Sequence, residues 1–135
     1  MFKLSVVTPE KPVIDQEVRS IIAPGSEGYL GILTDHAPLI TALIPGKLSV
    51  TDPENRTADY ALSGGFLEVS HNIVTILADA IEPIEKIDLE RALKAEKRAR
   101  ERLVHRTDPD IDVARAEAAL ARALNRIHLA EHRTA

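Results

Sequence analysis

Apolar and polar residues alternate in short runs through roughly the first 80 positions, a period that belongs to half-buried β-strands. Phe2 to Thr8 sets Leu4 and Val6 against Lys3 and Ser5 and stops at Pro9. Further strands are predicted at Val18–Ala23, Tyr29–Leu33, Leu39–Ile44, Lys47–Thr51, Ala58–Leu62, Phe66–Val69 and Ile73–Leu77. Between them stand turn-forming pairs: Pro24-Gly25, Pro45-Gly46, Asp52-Pro53, Gly64-Gly65 and His71-Asn72. Many short strands at this spacing predict a sandwich or barrel.

After Pro83 the period changes. Leu89, Ala92, Leu93, Ala99 and Leu103 follow helical spacing in a segment of Ala, Leu, Glu, Lys and Arg, with Asp88 placed to cap it. Asp108-Pro109 reads as a second cap with proline in the first turn, ahead of Val113, Ala116, Leu120, Ala123, Leu124 and Ile127. The expectation is an all-β sandwich over residues 1–84 and an antiparallel α-helical hairpin over 85–135, with helices at about 88–104 and 110–131. The apolar stripe of the hairpin is largely alanine. A buried carbon unit contributes about 0.8 kcal/mol, so such a hairpin should be weakly held.

Charge follows the same division. Residues 1–85 carry five Lys/Arg against twelve Asp/Glu, and residues 86–135 carry twelve against nine. Arg91 to Arg106 alone holds seven basic residues against Glu96 and Glu101, a surface for an anionic partner or simply a solvated helix face. A nucleic-acid adaptor using this stretch is the alternative reading, and aromatics at 3% give it no stacking platform. The absence of cysteine excludes disulfides, thiolate metal sites and cysteine nucleophiles. No leader precedes the first strand and no apolar run is long enough to span a bilayer, which predicts a soluble, intracellular chain without direct membrane insertion.

Enzyme motifs do not assemble. Gly25, Gly28 and Gly31 lack the helix that a phosphate loop requires. His128-Leu129-Ala130-Glu131-His132 has the H-x-x-E-H form but no third ligand after it. No catalytic residue and no metal is expected. The arginines carry more information. Arg91 and Arg98 share a face of the first helix, Arg122 and Arg126 a face of the second. A fold about the middle of 104–110 would set residue 91 opposite roughly residue 124, gathering three or four guanidinium groups. They would then hold a polyphosphate, or pair with local acids such as Glu82, Asp88 or Glu117; spacing leaves both open.

Five segments together carry a resemblance: Val6-Val7-Thr8-Pro9, Gly25 to Leu33, His36-Ala37-Pro38-Leu39, Ser63 to Val69 and Val74 to Ala78. In this order, followed by a helical hairpin, they resemble the bacterial epsilon subunit of F-type ATP synthase along nearly the whole chain. The resemblance implies a non-catalytic rotor subunit, docked on the gamma subunit and the c ring and peripheral to the cytoplasmic face of the bacterial plasma membrane. It also implies a hairpin that folds down or extends toward the catalytic alpha and beta subunits, inhibiting ATP hydrolysis when extended. ATP enters as a regulatory ligand, with no metal required and no nucleic acid as partner. Ile87-Asp88-Leu89-Glu90-Arg91-Ala92 matches the family's nucleotide motif, and Glu82, Arg98, Arg122 and Arg126 align with further ligand positions. Tyr29 stands where many relatives carry an acidic residue, in the loop expected to meet the c ring, and His36 is the neighbouring contact position.

Overall fold

The structure, a computed structural model, describes residues 1–133 and divides into two compact units between Pro83 and Ile84. The first unit is built from eight strands: β1 (Phe2–Val7), β2 (Pro12–Val18), β3 (Ser20–Gly25), β4 (Gly28–Ile32), β5 (Leu39–Thr51), β6 (Thr57–Ser70), β7 (Ile73–Ala78) and β8 (Ile81–Pro83). They hydrogen-bond in the order β2-β1-β7-β6-β5-β3-β4, with β8 added on β6. All pairings are antiparallel except β1 with β7.

One path of strands becomes a sandwich because β5 and β6 bend together. Pro45-Gly46 and Gly64-Gly65, expected as turns, lie inside these two long strands, which stay paired from Leu39↔Val69 to Thr51↔Thr57. The bend sits where Gly64 and Gly65 take φ of 103° and 140°, conformations closed to most side chains. Beyond it the first half of β6 pairs with β8, and the second half with β7. Leu4, Val6, Ile21, Ile32, Leu48, Leu62, Leu67 and Ile76 fill the space between the layers, each almost wholly withdrawn from water. The strand β2 went unrecognised in the sequence because Pro12, Asp15, Gln16 and Glu17 are exposed along a sheet edge, where charge and proline guard against further pairing.

The β5–β6 turn is held by one carboxylate. Asp52 accepts hydrogen bonds from the Glu54 and Arg56 amides, both at 2.9 Å, and from Arg56 Nε at 3.0 Å. The Arg56 amide, then its guanidinium, hold the Asp52 carboxyl below its ordinary value of 3.8. A lowered folded pKa adds stability above the ordinary value, and that stability is lost as pH falls through the folded one. Asp52→Asn is therefore expected to flatten the acid limb of unfolding, with a smaller drop in urea midpoint than the parent between about pH 5 and about pH 3.

The second unit opens with a 3-10 turn at Ile84–Lys86, followed by α1 (Leu89–Val104) and α2 (Val113–Glu131). Asp88 caps α1 by accepting the Arg91 amide at 3.0 Å, and Asp112 caps α2 by accepting the Arg115 amide at 3.0 Å. The second helix thus begins at Val113 and not near 110. Asp108, the expected cap, instead accepts the Asp110 amide at 2.9 Å and shapes the connecting turn. The helices pack through small residues: Ala92 and Ala99 on α1, Ala116, Ala123 and Ala130 on α2, all at seven-residue spacing and all buried. Ile127 and Leu129 add larger side chains near the end of α2.

Candidate functional site

The alanine seam decides where the arginines go. Arg91, Arg98, Arg122 and Arg126 each immediately precede a buried residue, Ala92, Ala99, Ala123 and Ile127 respectively. Stepping back one residue turns a helix by about 100°, and reversing the chain direction of its neighbour reverses that turn as seen along one axis. In an antiparallel pair, residues that precede seam positions on either limb therefore flank the same side of the seam. The four arginines are thus placed along one side of the seam. Arg115 joins them ahead of Ala116, and Arg102 lies three residues beyond Ala99 on the same side.

Two polar ties indicate the register. Arg106 Nη2 reaches Glu117 at 3.5 Å near the turn, and Arg133 Nη1 reaches the Ile84 and Ile87 carbonyls at 3.2 and 2.9 Å at the open end. Interpolation places Arg98 level with roughly Arg122, and Arg91 nearer the open end, level with roughly Leu129. This shifts the level opposite Arg91 from the expected 124 toward the end of α2. The cause is the turn at 105–112, which is longer than the sequence suggests because α2 starts late.

The face carries uncompensated charge. Lys94 pairs with Glu90 at 3.6 Å, Arg100 with Glu96 at 3.0 Å and Arg106 with Glu117 at 3.5 Å. Among the described residues, Arg91, Arg98, Arg102, Arg115 and Arg122 have no acidic partner; Arg126 is engaged. Arg91 and Arg98 are exposed, while Arg122 and Arg126 are half-buried. Pairing with Glu117, one of the acids considered for this set, belongs to Arg106 instead. Toward the turn, Arg98, Glu101, Arg102, His105 and Ile111 line an open groove of about 540 Å³. A second groove of about 250 Å³ shares Arg102 and Ile111 and adds Asp110, Asp112 and Arg115. Arg102 and Arg115 were not singled out from the sequence. The signal for Arg115 was present in the Arg-Ala step that it shares with Arg91 and Arg98.

Of the other expected ligand positions, Ile87 and Ala92 are buried side chains, and Asp88 is occupied as the α1 cap. Their backbone and packing shape the entry to α1. Glu82 lies half-buried on β8, in the first unit. His128 and His132 have ring centroids 4.3 Å apart, and His132 Nδ1 donates to the His128 carbonyl at 2.8 Å. No cluster of three or more candidate metal ligands occurs among the described residues.

The first unit presents a different surface. Ala42, Phe66, Leu77 and Val7 stand in register across β5, β6, β7 and β1, on the face turned away from the core. Phe66 is 58% exposed and Leu77 56%, with Ile40 and Ile44 exposed beside them on β5. A row of this kind, unlike a scattered leucine, marks a surface made for covering. Tyr29 is 60% exposed at the tip of the β3–β4 hairpin, and its hydroxyl accepts the Lys47 amide at 3.0 Å. His36 is half-buried, its Nδ1 donating to the Ala37 carbonyl at 2.8 Å.

Residues 1–84 match the family model described as ATP synthase, Delta/Epsilon chain, beta-sandwich domain, and residues 85–131 match that of the long alpha-helix domain of the same chain. The ATP synthase epsilon chain of Moorella thermoacetica is 50% identical, over 94% of this chain and 94% of the relative. That of Desulforamulus reducens is 47% identical, over 96% of each. A solved chain of the Euglena gracilis mitochondrial ATP synthase, from a structure of its OSCP, F1 and c-ring, superposes with a TM-score of 0.79. It is 28% identical, with 96% of this chain and 80% of that one covered. A chain of the Tetrahymena thermophila mitochondrial enzyme, 18% identical with a TM-score of 0.64, shares the fold.

Proposed function

The chain belongs to the ATP synthase Delta/Epsilon chain family, as an epsilon chain of the F-type enzyme's central stalk, and on that premise we propose that its hairpin is a regulatory element which ATP holds closed. The observation that carries this reading is the single arginine-lined face beside a seam made of alanine. Guanidinium groups crowded on one side of a weak interface repel one another, and a polyphosphate among them turns that repulsion into a bond between the limbs. Arg91, Arg98, Arg122 and Arg126 meet the phosphates, while Ile87, Asp88 and Ala92 shape the start of α1 against the nucleotide.

Closure is then a matter of populations. ATP at about 100 times its dissociation constant favours the closed hairpin by about 2.7 kcal/mol. As ATP falls the bias vanishes, the limbs part, and their basic face turns to acidic surfaces of the alpha and beta subunits, where it inhibits ATP hydrolysis. Titration of the whole chain with ATP, followed by hydrogen exchange, is expected to give saturable protection of the α1 and α2 amides. Exchange that ignores ATP would remove the nucleotide from the mechanism.

The subunit is the non-catalytic link between the catalytic head and the c ring, carried on the cytoplasmic face of the bacterial plasma membrane through the complex. Among the described residues no helix is long and apolar enough to cross a membrane. The apolar row through Phe66 and Leu77 is proposed as the seat of the gamma subunit, with Tyr29 and His36 directed to the c ring. Phe66→Asp together with Leu77→Asp buries two charges in that seat and is expected to weaken gamma binding at least about a hundredfold. Both side chains already face water in the free chain, so its melting should move little. Unchanged co-purification with gamma would place the interface elsewhere.

A further inference from the structure

The end of α2 returns to the start of α1, and the contact there is specific. Arg133 Nη1 donates to the Ile87 carbonyl at 2.9 Å and to the Ile84 carbonyl at 3.2 Å. These carbonyls belong to the 3-10 turn that leads into α1, and the Ile87 amide itself donates to the Ile84 carbonyl at 3.2 Å. The Ile84 and Ile87 side chains are buried, at 7% and 4% exposure. The next residue, Asp88, has its carboxylate fixed by the Arg91 amide at 3.0 Å. One residue's carbonyl is thus held by the tail of the second limb, and the adjacent residue's side chain by the first turn of the first limb.

We propose that Arg133 is a positioning residue for the nucleotide face: by tying Ile84 and Ile87 to the end of α2, it sets where α1 begins relative to its partner helix. This rests on the nucleotide reading above. The direction of Arg91, one turn into α1, depends on the rotation of α1 about its axis, which an alanine seam restrains poorly. Directional hydrogen bonds from a guanidinium restrain it well. Among the described residues Arg133 meets carbonyl oxygens and no carboxylate, and a positive charge held there favours an anion nearby. The tie forms only when the limbs are closed, which makes nucleotide binding and closure one event.

The test uses the whole chain and three variants. Arg133→Ala is expected to weaken ATP binding about tenfold by calorimetry, the loss of one charge-assisted anchoring contact. Arg133→Lys, whose ammonium can still donate to both carbonyls, is expected to recover most of that loss, whereas Arg133→Met, which keeps the bulk but donates nothing, is expected to bind as weakly as Arg133→Ala. In the absence of ATP, Arg133→Ala should also raise hydrogen exchange at the Arg91 and Ala92 amides about tenfold, since both bond to Asp88. Wild-type ATP affinity in Arg133→Ala, with a parent chain that binds, overturns the positioning role and leaves the nucleotide reading intact. If the parent chain binds no ATP, the nucleotide reading fails, and unchanged exchange at Arg91 and Ala92 then overturns the tie as well.

Discussion

Arg91→Ala combined with Arg122→Ala is expected to weaken ATP binding by the isolated chain at least about a hundredfold, because each lost hydrogen bond to a charged phosphate is worth about 1.5–3 kcal/mol. The two residues come from opposite limbs, and both lack an acidic partner among the described residues. Their removal therefore breaks no ion pair within the hairpin. Without ATP, the doubly substituted hairpin should be as protected from hydrogen exchange as the parent, or more so, since two like charges have been taken from one face. A change that merely damages packing would lower protection and binding together. Calorimetry and exchange on the same sample separate the two outcomes. Binding of parental strength in the double variant would show that the arginine face does not receive phosphate.

The second large effect belongs to the bend in the β unit. Gly65→Ala should destabilise that unit by about 3 kcal/mol or more, from the strain of a positive φ plus a backbone collision. A Cβ built on Gly65 would collide with the Leu77 carbonyl oxygen, and the residue's φ is 140°. Neither atom can retreat, because Gly65 and Ala78 are paired in the ladder and Phe66 faces Leu77 beside them. Against a total stability of about 5–15 kcal/mol, such a loss should appear as a large fall in urea midpoint. Gly31→Ala is the matched control. Its Cβ would meet nothing closer than the Ile21 carbonyl oxygen at 4.0 Å, and its midpoint should hardly move.

That bend also shows where sequence reasoning stopped short. Gly64-Gly65 was legible as a place where the chain turns, and it does turn, yet without leaving the ladder. Local turn chemistry cannot report that the partner strand bends at the same level, which here is the contribution of Pro45-Gly46. The sandwich and the hairpin were legible because their periods differ, two against three and a half. The Asp88 cap was legible because acidic capping acts within three residues. The α2 start was not. Asp108 and Asp112 both satisfy the same rule, and only the length of the connection selects between them.

The arginine face was half legible. Spacing within each helix grouped Arg91 with Arg98 and Arg122 with Arg126, whereas their levels depended on a turn whose length was misjudged. The sidedness was available all along in the repeated Arg-Ala step, which also points to Arg115. The Arg133 contact carried no such signal. It joins residues 46 and 49 positions apart through backbone oxygens, which have no side-chain identity to read.

Alanine on both sides of the helical interface also bears on the proposed separation of the limbs. Leucine-lined helices, once parted, would offer water a continuous oily strip and would seek any other apolar surface in the cell. Here the newly wetted groups are chiefly methyls, flanked by guanidinium groups that are already hydrated. On the proposed mechanism, arms released in this way would stay dissolved and uncommitted until an acidic neighbour is met, with reversibility a consequence of side-chain size.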